Sequence, residues 1–358
     1  MWWTAVGGMG VFTLSRFGAP PAVEAQPVPM PRSGVLAVES GMASTPARVP
    51  AECREALRER GEVEGHNVLV DYRWVTAGQT DRLNDFAVEC VRRKVDRIVA
   101  VSPTAGQAVQ RATTAIPMVM FAGDPVGPGL VVSLARPGGN STGIAALTAE
   151  IGGTGLALLR ALLPTVPHVA VLVHATDPFA RPVLEPIESA ARSRGVRLQP
   201  VGVRGAEEFD GAFATMVHAR ASAVSLQPVL ATPRVAALAV QPHLRAIAPA
   251  APFAEARGLM TYASNRARNW RSLATYVVKI LKDAKPADLP GAHPRTFELV
   301  INLQTAQALG LTIPPTLLFQ ADTVLQEASG GERRGVVHWA SGSPSTVAVA
   351  GGGEVPAA

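Results

Sequence analysis

The chain has 358 residues, enough for two lobes that each bury a core. Hydrophobic residues make up 47%, which excludes a wholly disordered chain; charged residues are only 17%, against roughly 25% in a typical soluble domain, which disfavours coiled coils and long solvated helix arrays. Two cysteines cannot build a disulfide scaffold, no Cys-x-x-Cys or Cys/His cluster offers a zinc site, and a net charge of +5 with 5% aromatics argues against a nucleic-acid partner.

Met1 to Leu14 is apolar and uncharged, shorter than the roughly 20 residues of a membrane span. A Pro/Ala-rich stretch follows, and Val23-Glu24-Ala25-Gln26 places small residues for signal-peptidase cleavage after Ala25, although no Lys or Arg precedes Arg16. Residues 1–33 therefore read as a leader or signal peptide, which implies a periplasmic protein. At the other end, residues 327–358 are rich in Gly, Ser, Ala and Val without periodicity, and read as a disordered tail.

Between these ends, β-branched runs alternate with helical patterns, as in parallel α/β units. Strands are expected at 34–38, 67–74, 97–101, 116–121 and 141–145. Helices are expected at 50–60, at 81–94 with Asp81 as cap, and from Ser102-Pro103-Thr104 onward. After a helix over 148–163 the pattern restarts: strands at 169–173, 196–201, 223–226 and 259–262, and helices at 179–194, 207–220, 232–245 (interrupted at Pro242) and 270–282. The fold class is α/β, with one architecture written twice. Parallel sheets with right-handed crossovers gather ligands at the carboxyl ends of their strands, so two facing lobes make a cleft.

Five segments carry a resemblance: GEVEGHNVLVDYRW (61–74), VRRKVDRIVAV (91–101), GDPVGPGLVVSLARPGGNSTG (123–143), LKDAKPADLP (281–290) and FELVINLQTAQALGLTIPP (297–315). Together they resemble the ABC transporter substrate-binding proteins, in the family that includes tryptophan- and tyrosine-binding members. The likeness covers roughly residues 34–326. It implies two Rossmann-like lobes with parallel sheets joined by a hinge, of the periplasmic binding protein type I kind. Lobe one is then 34–145 plus 262–285, and lobe two 146–261 plus 286–326. It also implies capture of a small organic solute, amino-acid-like or carboxylate, and its delivery to an ABC permease by a monomer that needs no cofactor. Alternatives on the same fold are the ligand-sensing core of a regulator or a small-molecule enzyme.

Site candidates follow from strand ends. Ser102 and Thr104 stand where a strand meets a helix N-terminus, whose free N–H groups suit a carboxylate; a plain N-cap is the competing reading. Asp124 either faces a solute amino group or caps an Asp-Pro turn. Thr176 and Asp177 follow a strand on the other lobe, where the family often has an Asn-rich loop that this chain lacks. Gln227 follows another strand, where relatives often carry an acidic residue. Tyr262 and Asn265 fall at the expected hinge. The loop from Glu39 to Pro46 is short of the family pattern. Residues 257–285 carry seven basic groups and one acidic group, a net +6, read as a solvated helix face, an acidic-solute preference or a docking surface.

Catalytic motifs are missing: no Gly-x-Ser-x-Gly elbow, phosphate-binding loop or His-Glu-x-x-His occurs, and the histidines at 66, 168, 174, 218, 243, 293 and 338 lack ligand spacing. Gly152-Gly153-Thr154-Gly155 imitates a dinucleotide fingerprint, but no strand immediately precedes it. His174 alone stands at a cleft edge, where a single histidine reads as structural. The chain is expected to be no enzyme.

Overall fold

A computed structural model describes residues 30–39, 51–76, 79–146, 148–250, 252–326, 335–338 and 348–349. Most of the expected leader with its cleavage site, the loop after Glu39 and most of the expected tail lie outside them, while Arg32 and Ser33, expected as the leader's end, already belong to the first strand.

Five strands build the first sheet: β1 (Arg32–Glu39), β2 (Leu69–Thr76), β3 (Arg97–Val101), β4 (Met118–Ala122) and β5 (Ser141–Ala145). They lie parallel in the order β2-β1-β3-β4-β5. Strand alternation separates two apolar faces. Leu36, Ile98, Ala100, Met118 and Met120 pack on α2 (Arg82–Arg92) and α3 (Pro103–Ala112). Val35, Val99, Val119 and Ile144 pack on α1 (Ala51–Arg58) and α9 (Arg266–Leu281). Cys90 lies in the first of these cores and Cys53 in the second, so the sheet keeps the two free thiols apart.

The second sheet has β6 (His168–His174), β7 (Arg197–Val203), β8 (Ala223–Leu226), β9 (Arg245–Ala248), β10 (Met260–Ser264), β11 (Phe297–Asn302) and β12 (Thr323–Gln326). Two short strands, β13 (Gly335–His338) and β14 (Ala348–Val349), extend it within the stretch read as a disordered tail. The order is β14-β13-β12-β11-β10-β9-β8-β6-β7. Pairing is parallel except between β10 and β11, β12 and β13, and β13 and β14. Its helices are α4 (Thr148–Leu162), α5 (Ala180–Ser193), α6 (Phe209–His218), α7 (Pro233–Val240), α8 (Pro252–Glu255), α10 (Leu303–Ala308) and α11 (Pro315–Gln320). They cover both faces, the fold of two lobes joined by a hinge. The glycines of the apparent dinucleotide motif lie inside α4. A Cβ at Gly152 would stand 2.7 Å from Ile187 Cγ1, and one at Gly155 3.4 Å from Ile247 Cδ1, so these residues let α4 lie close to α5 and to the sheet.

Backbone pairing places the lobe boundaries differently from expectation. Residues 262–264 pair in β10 with β11 and so belong to the second sheet. Residues 286–292 stay with the first: Thr142 Oγ1 donates to Leu289 O at 2.7 Å, Gly291 N to Leu134 O at 2.7 Å, and Ala292 N to Gly143 O at 2.9 Å. The chain therefore passes between lobes three times, after β5, after β10 and before β11. Gly143 serves one of these passages. Its φ is +147°, and a Cβ there would run into the backbone of Met120.

Three local expectations also change. Asp81 has helical backbone angles and makes no side-chain cap bond, so the start of α2 has no Asx cap. The helical stretch expected to Arg245 with an interruption at Pro242 ends at Val240, and Arg245 begins β9. Helix α9 starts at Arg266, because Asn265 Oδ1 accepts from Arg268 N at 2.7 Å and caps it four residues ahead of the expected start.

Candidate functional site

The carboxyl ends of β3, β6 and β8 bring part of the expected set together. At the end of β3, Ser102 takes φ +140°, a conformation costly for a residue with a Cβ, while its Oγ accepts from Ala105 N at 3.1 Å to cap α3. The strained backbone turns α3 sharply off the strand and leaves half-buried Thr104 in its first turn. At the end of β6, Asp177 Oδ1 accepts from Phe179 N at 3.0 Å, an Asx turn that opens α5. Its Oδ2 accepts from Gln227 Nε2 at 2.6 Å. Gln227, 2% exposed at the end of β8, also accepts the His174 backbone N–H on its Oε1 at 2.7 Å. One side chain thus joins two neighbouring parallel strands at their ends.

Burial pushes the Asp177 carboxyl above its ordinary range. The hydrogen bonds from Phe179 N and Gln227, the nearby His174 and the Thr104 hydroxyl oppose that rise. Thr104 belongs to the first lobe and Asp177 to the second, so this carboxylate is where the lobes meet. Thr176 is exposed, with Oγ1 3.3 Å from His174 Nδ1. His174 is 2% exposed, and its Nε2 has no hydrogen-bond partner. Sequence reasoning set His174 aside as a lone histidine; its signal was its place in the same strand-end loop as Thr176 and Asp177.

The remaining candidates stand elsewhere. Asp124 is exposed, with Oδ1 accepting from Val126 N at 2.9 Å and Gly127 N at 3.1 Å, the turn geometry. Tyr262 stacks on Phe297 with centroids 5.8 Å apart and packs on the core of the second lobe. It lines a cavity of about 20 Å³ with Ile151, Gly155, Val183, Ile187 and Ile247, space for about one water. Asn265 caps α9 and donates from Nδ2 to the Glu298 carboxylate, tying two of the three lobe passages together. Among the described residues no hydrogen bond joins Asp124, Tyr262 or Asn265 to the Asp177 cluster. Nor, among them, do three His, Cys, Asp or Glu side chains gather as a metal site.

Residues 47–325 match the protein family described as ABC transporter substrate binding protein. The chain belongs to that family. A curated relative, the tyrosine-binding protein of Clostridioides difficile (strain R20291), is 29% identical over 166 residues, 46% of this chain and 47% of the relative. The chain thus matches about half the length of that relative. Solved structures share the fold. A conserved domain protein from Vibrio cholerae has a TM-score of 0.73 at 23% identity, covering 83% of this chain and 100% of its own. An ABC domain in complex with L-Trp from Streptococcus pneumonia has 0.71 at 24%, covering 82% and 99%. The ligand-free, open form of a substrate binding protein from Clostridium difficile has 0.57 at 21%, covering 80% and 97%. Members of the family bind solutes outside the cytoplasm for ABC transporters, and among the described residues no helix is long and apolar enough to cross a membrane.

Proposed function

We propose that this substrate-binding protein closes its two lobes on an amino-acid-like solute, and that the solute bridges the first turn of α3 and the Asp177 carboxylate. The observation that carries this reading is the meeting of Thr104 and Asp177 across the lobes at the carboxyl ends of β3 and β6. The Thr104 N–H, with the hydroxyls of Ser102 and Thr104, suits the solute carboxylate at the positive end of α3. Asp177 suits its ammonium group, a charge-assisted contact that a neutral donor matches poorly. Contacts to both lobes are what shift the population toward the closed form; a solute held by one lobe shifts nothing. The tyrosine-binding relative and the L-Trp complex support an amino acid as cargo.

In this reading the protein is a monomeric carrier, exported through a signal peptide cleaved after Ala25. It hands its solute to an ABC permease and catalyses no bond change. A thermal-shift screen over amino acids, their deaminated analogues and other small carboxylates tests it. A true cargo at 100 times its dissociation constant raises stability by about 2.7 kcal/mol. Asp177→Asn should abolish the response to amino acids. A cargo whose binding ignores both Thr104→Val and Asp177→Asn removes the proposed site.

A further inference from the structure

Helix α9 carries its cations in one row. Arg268, Arg271, Lys279 and Lys282 are exposed, and their spacing puts them on the side opposite buried Leu273, Val277 and Ile280. The row spans 15 residues, about 21 Å of helix. Among the described residues only one carboxylate comes within 4 Å of it, Glu55 at 3.9 Å from Arg271, and Asp283 directly follows Lys282.

Three exposed cations on the second lobe sit beside carboxylates. Arg181 is 2.9 Å from Glu185, Arg192 is 4.0 Å from Glu188, and Arg234 is 2.5 Å from Asp210. Helix α9 has no acidic residue along its length, and Arg266 and Arg268 stand in its first turn, at the positive end of the helix. Like charges three apart and cations at a helix N-terminus both weaken a helix. Arg268 and Arg271 therefore work against their own helix, whereas Lys279 and Lys282 stand at the end where the dipole favours a cation.

We infer that this face of α9 rests on an anionic phospholipid surface. The four heads are spread too widely for one small anion, and a flat array of phosphates meets all of them at once. Long flexible Lys and Arg side chains on an exposed helix suit headgroups. Tyr276, whose ring Lys279 Nζ covers at 6.0 Å, donates its hydroxyl to Pro290 O, which leaves it a poor platform for the stacked bases of a single-stranded nucleic acid.

The test is co-sedimentation of the full chain with vesicles of phosphatidylcholine alone or mixed with phosphatidylglycerol. Binding is expected only to the anionic vesicles, and it should weaken steeply with added salt. Each cation removed should weaken partitioning by about fivefold, so Arg268→Gln/Arg271→Gln/Lys279→Gln/Lys282→Gln should lose several hundredfold, about 625-fold if the effects multiply. Should that variant fail to fold, Arg268→Gln/Lys279→Gln should still lose about 25-fold. A charge-matched control, Arg181→Gln/Arg192→Gln/Arg194→Gln/Arg234→Gln on the second lobe, should bind as the unmodified chain does. Equal binding to uncharged vesicles, equal loss in the control, or capture by duplex DNA with none by anionic vesicles each overturns the inference.

Discussion

Gln227→Met is the sharpest probe of the cluster, because it keeps the side chain's length while removing both of its polar ends. Gln227 is 2% exposed, so water cannot take its place. The His174 N–H loses its acceptor at 2.7 Å, and Asp177 Oδ2 loses its donor at 2.6 Å. An unsatisfied buried donor costs roughly 1–3 kcal/mol, and a lost bond to a charged group about 1.5–3, so the sum is about 3–5 kcal/mol. At roughly 2–4 °C per kcal/mol, the melting temperature should fall by about 6–20 °C. The pH dependence is signed. The Asp177 carboxyl titrates above its ordinary range because it is buried, and losing the Gln227 donor raises it further. The variant's native state then holds a proton over a wider range than the unmodified protein does. Its deficit is full above that raised range and shrinks as pH falls through it, because a protonated carboxyl no longer needs the donor. Calorimetry near neutrality and again in mild acid reads both effects. A deficit under about 1 kcal/mol, or one that grows on acidification, refutes the network.

Arg97 is 1% exposed, its Nε and Nη2 lack partners, and burial draws its pKa down to about 10. Arg97→Met should stabilise the fold by about 1–3 kcal/mol at neutral pH in chemical denaturation, an advantage that closes as pH rises past about 10 and the native arginine sheds its proton. Gly143→Ala forces a Cβ into the Met120 backbone at φ +147°, so it should cost about 3 kcal/mol or more in the same assay. Burial, with Glu52 nearby, pushes the Cys53 thiol up to about 12, and burial pushes Cys90 up to about 11; a thiol-disulfide reagent at mildly alkaline pH should modify neither until denaturant is added, and then both.

The alternation of strand and helix was legible because Arg97 to Val101, Ser141 to Ala145 and their kin are apolar runs bounded by turn residues. Strand β9 was not, since Arg-Ala-Ile-Ala holds one β-branched residue in four and follows a helical pattern directly. The start of α9 was hidden because Arg266 to Asn269 is mostly polar, and only the Asn265 cap reveals it. Each strand-end candidate was visible singly, yet Gln227 and Asp177 are 50 residues apart, and their bond depends on β8 lying beside β6, a fact of sheet order. Tyr262 read as either a solute contact or a structural hinge tyrosine because its partner was out of sight: Phe297 reaches it only through the antiparallel register of β10 and β11, in which Tyr262 faces Leu299 and Ser264 faces Phe297.

The cluster also ranks solutes. The Thr104 hydroxyl lies near the Asp177 carboxylate from across the lobes and helps to hold its titration down, so an entering molecule has to offer that carboxylate something better. An ammonium group does, since charge-assisted hydrogen bonds are roughly twice as strong as neutral ones. A solute that brings only a carboxylate sets two negative charges near one another in a partly buried site, and closure then works against their repulsion. An amino acid should therefore bind at least tenfold more tightly than the same molecule without its amino group, about 1.4 kcal/mol. Titration calorimetry on L-tyrosine and its deaminated analogue measures the gap. The gap should narrow in acid as Asp177 takes up a proton, because a neutral carboxyl neither holds the ammonium nor repels the acid. Equal affinity for the two compounds at neutral pH would mean that the carboxylate at the lobe junction fastens the protein to itself and does not choose its cargo.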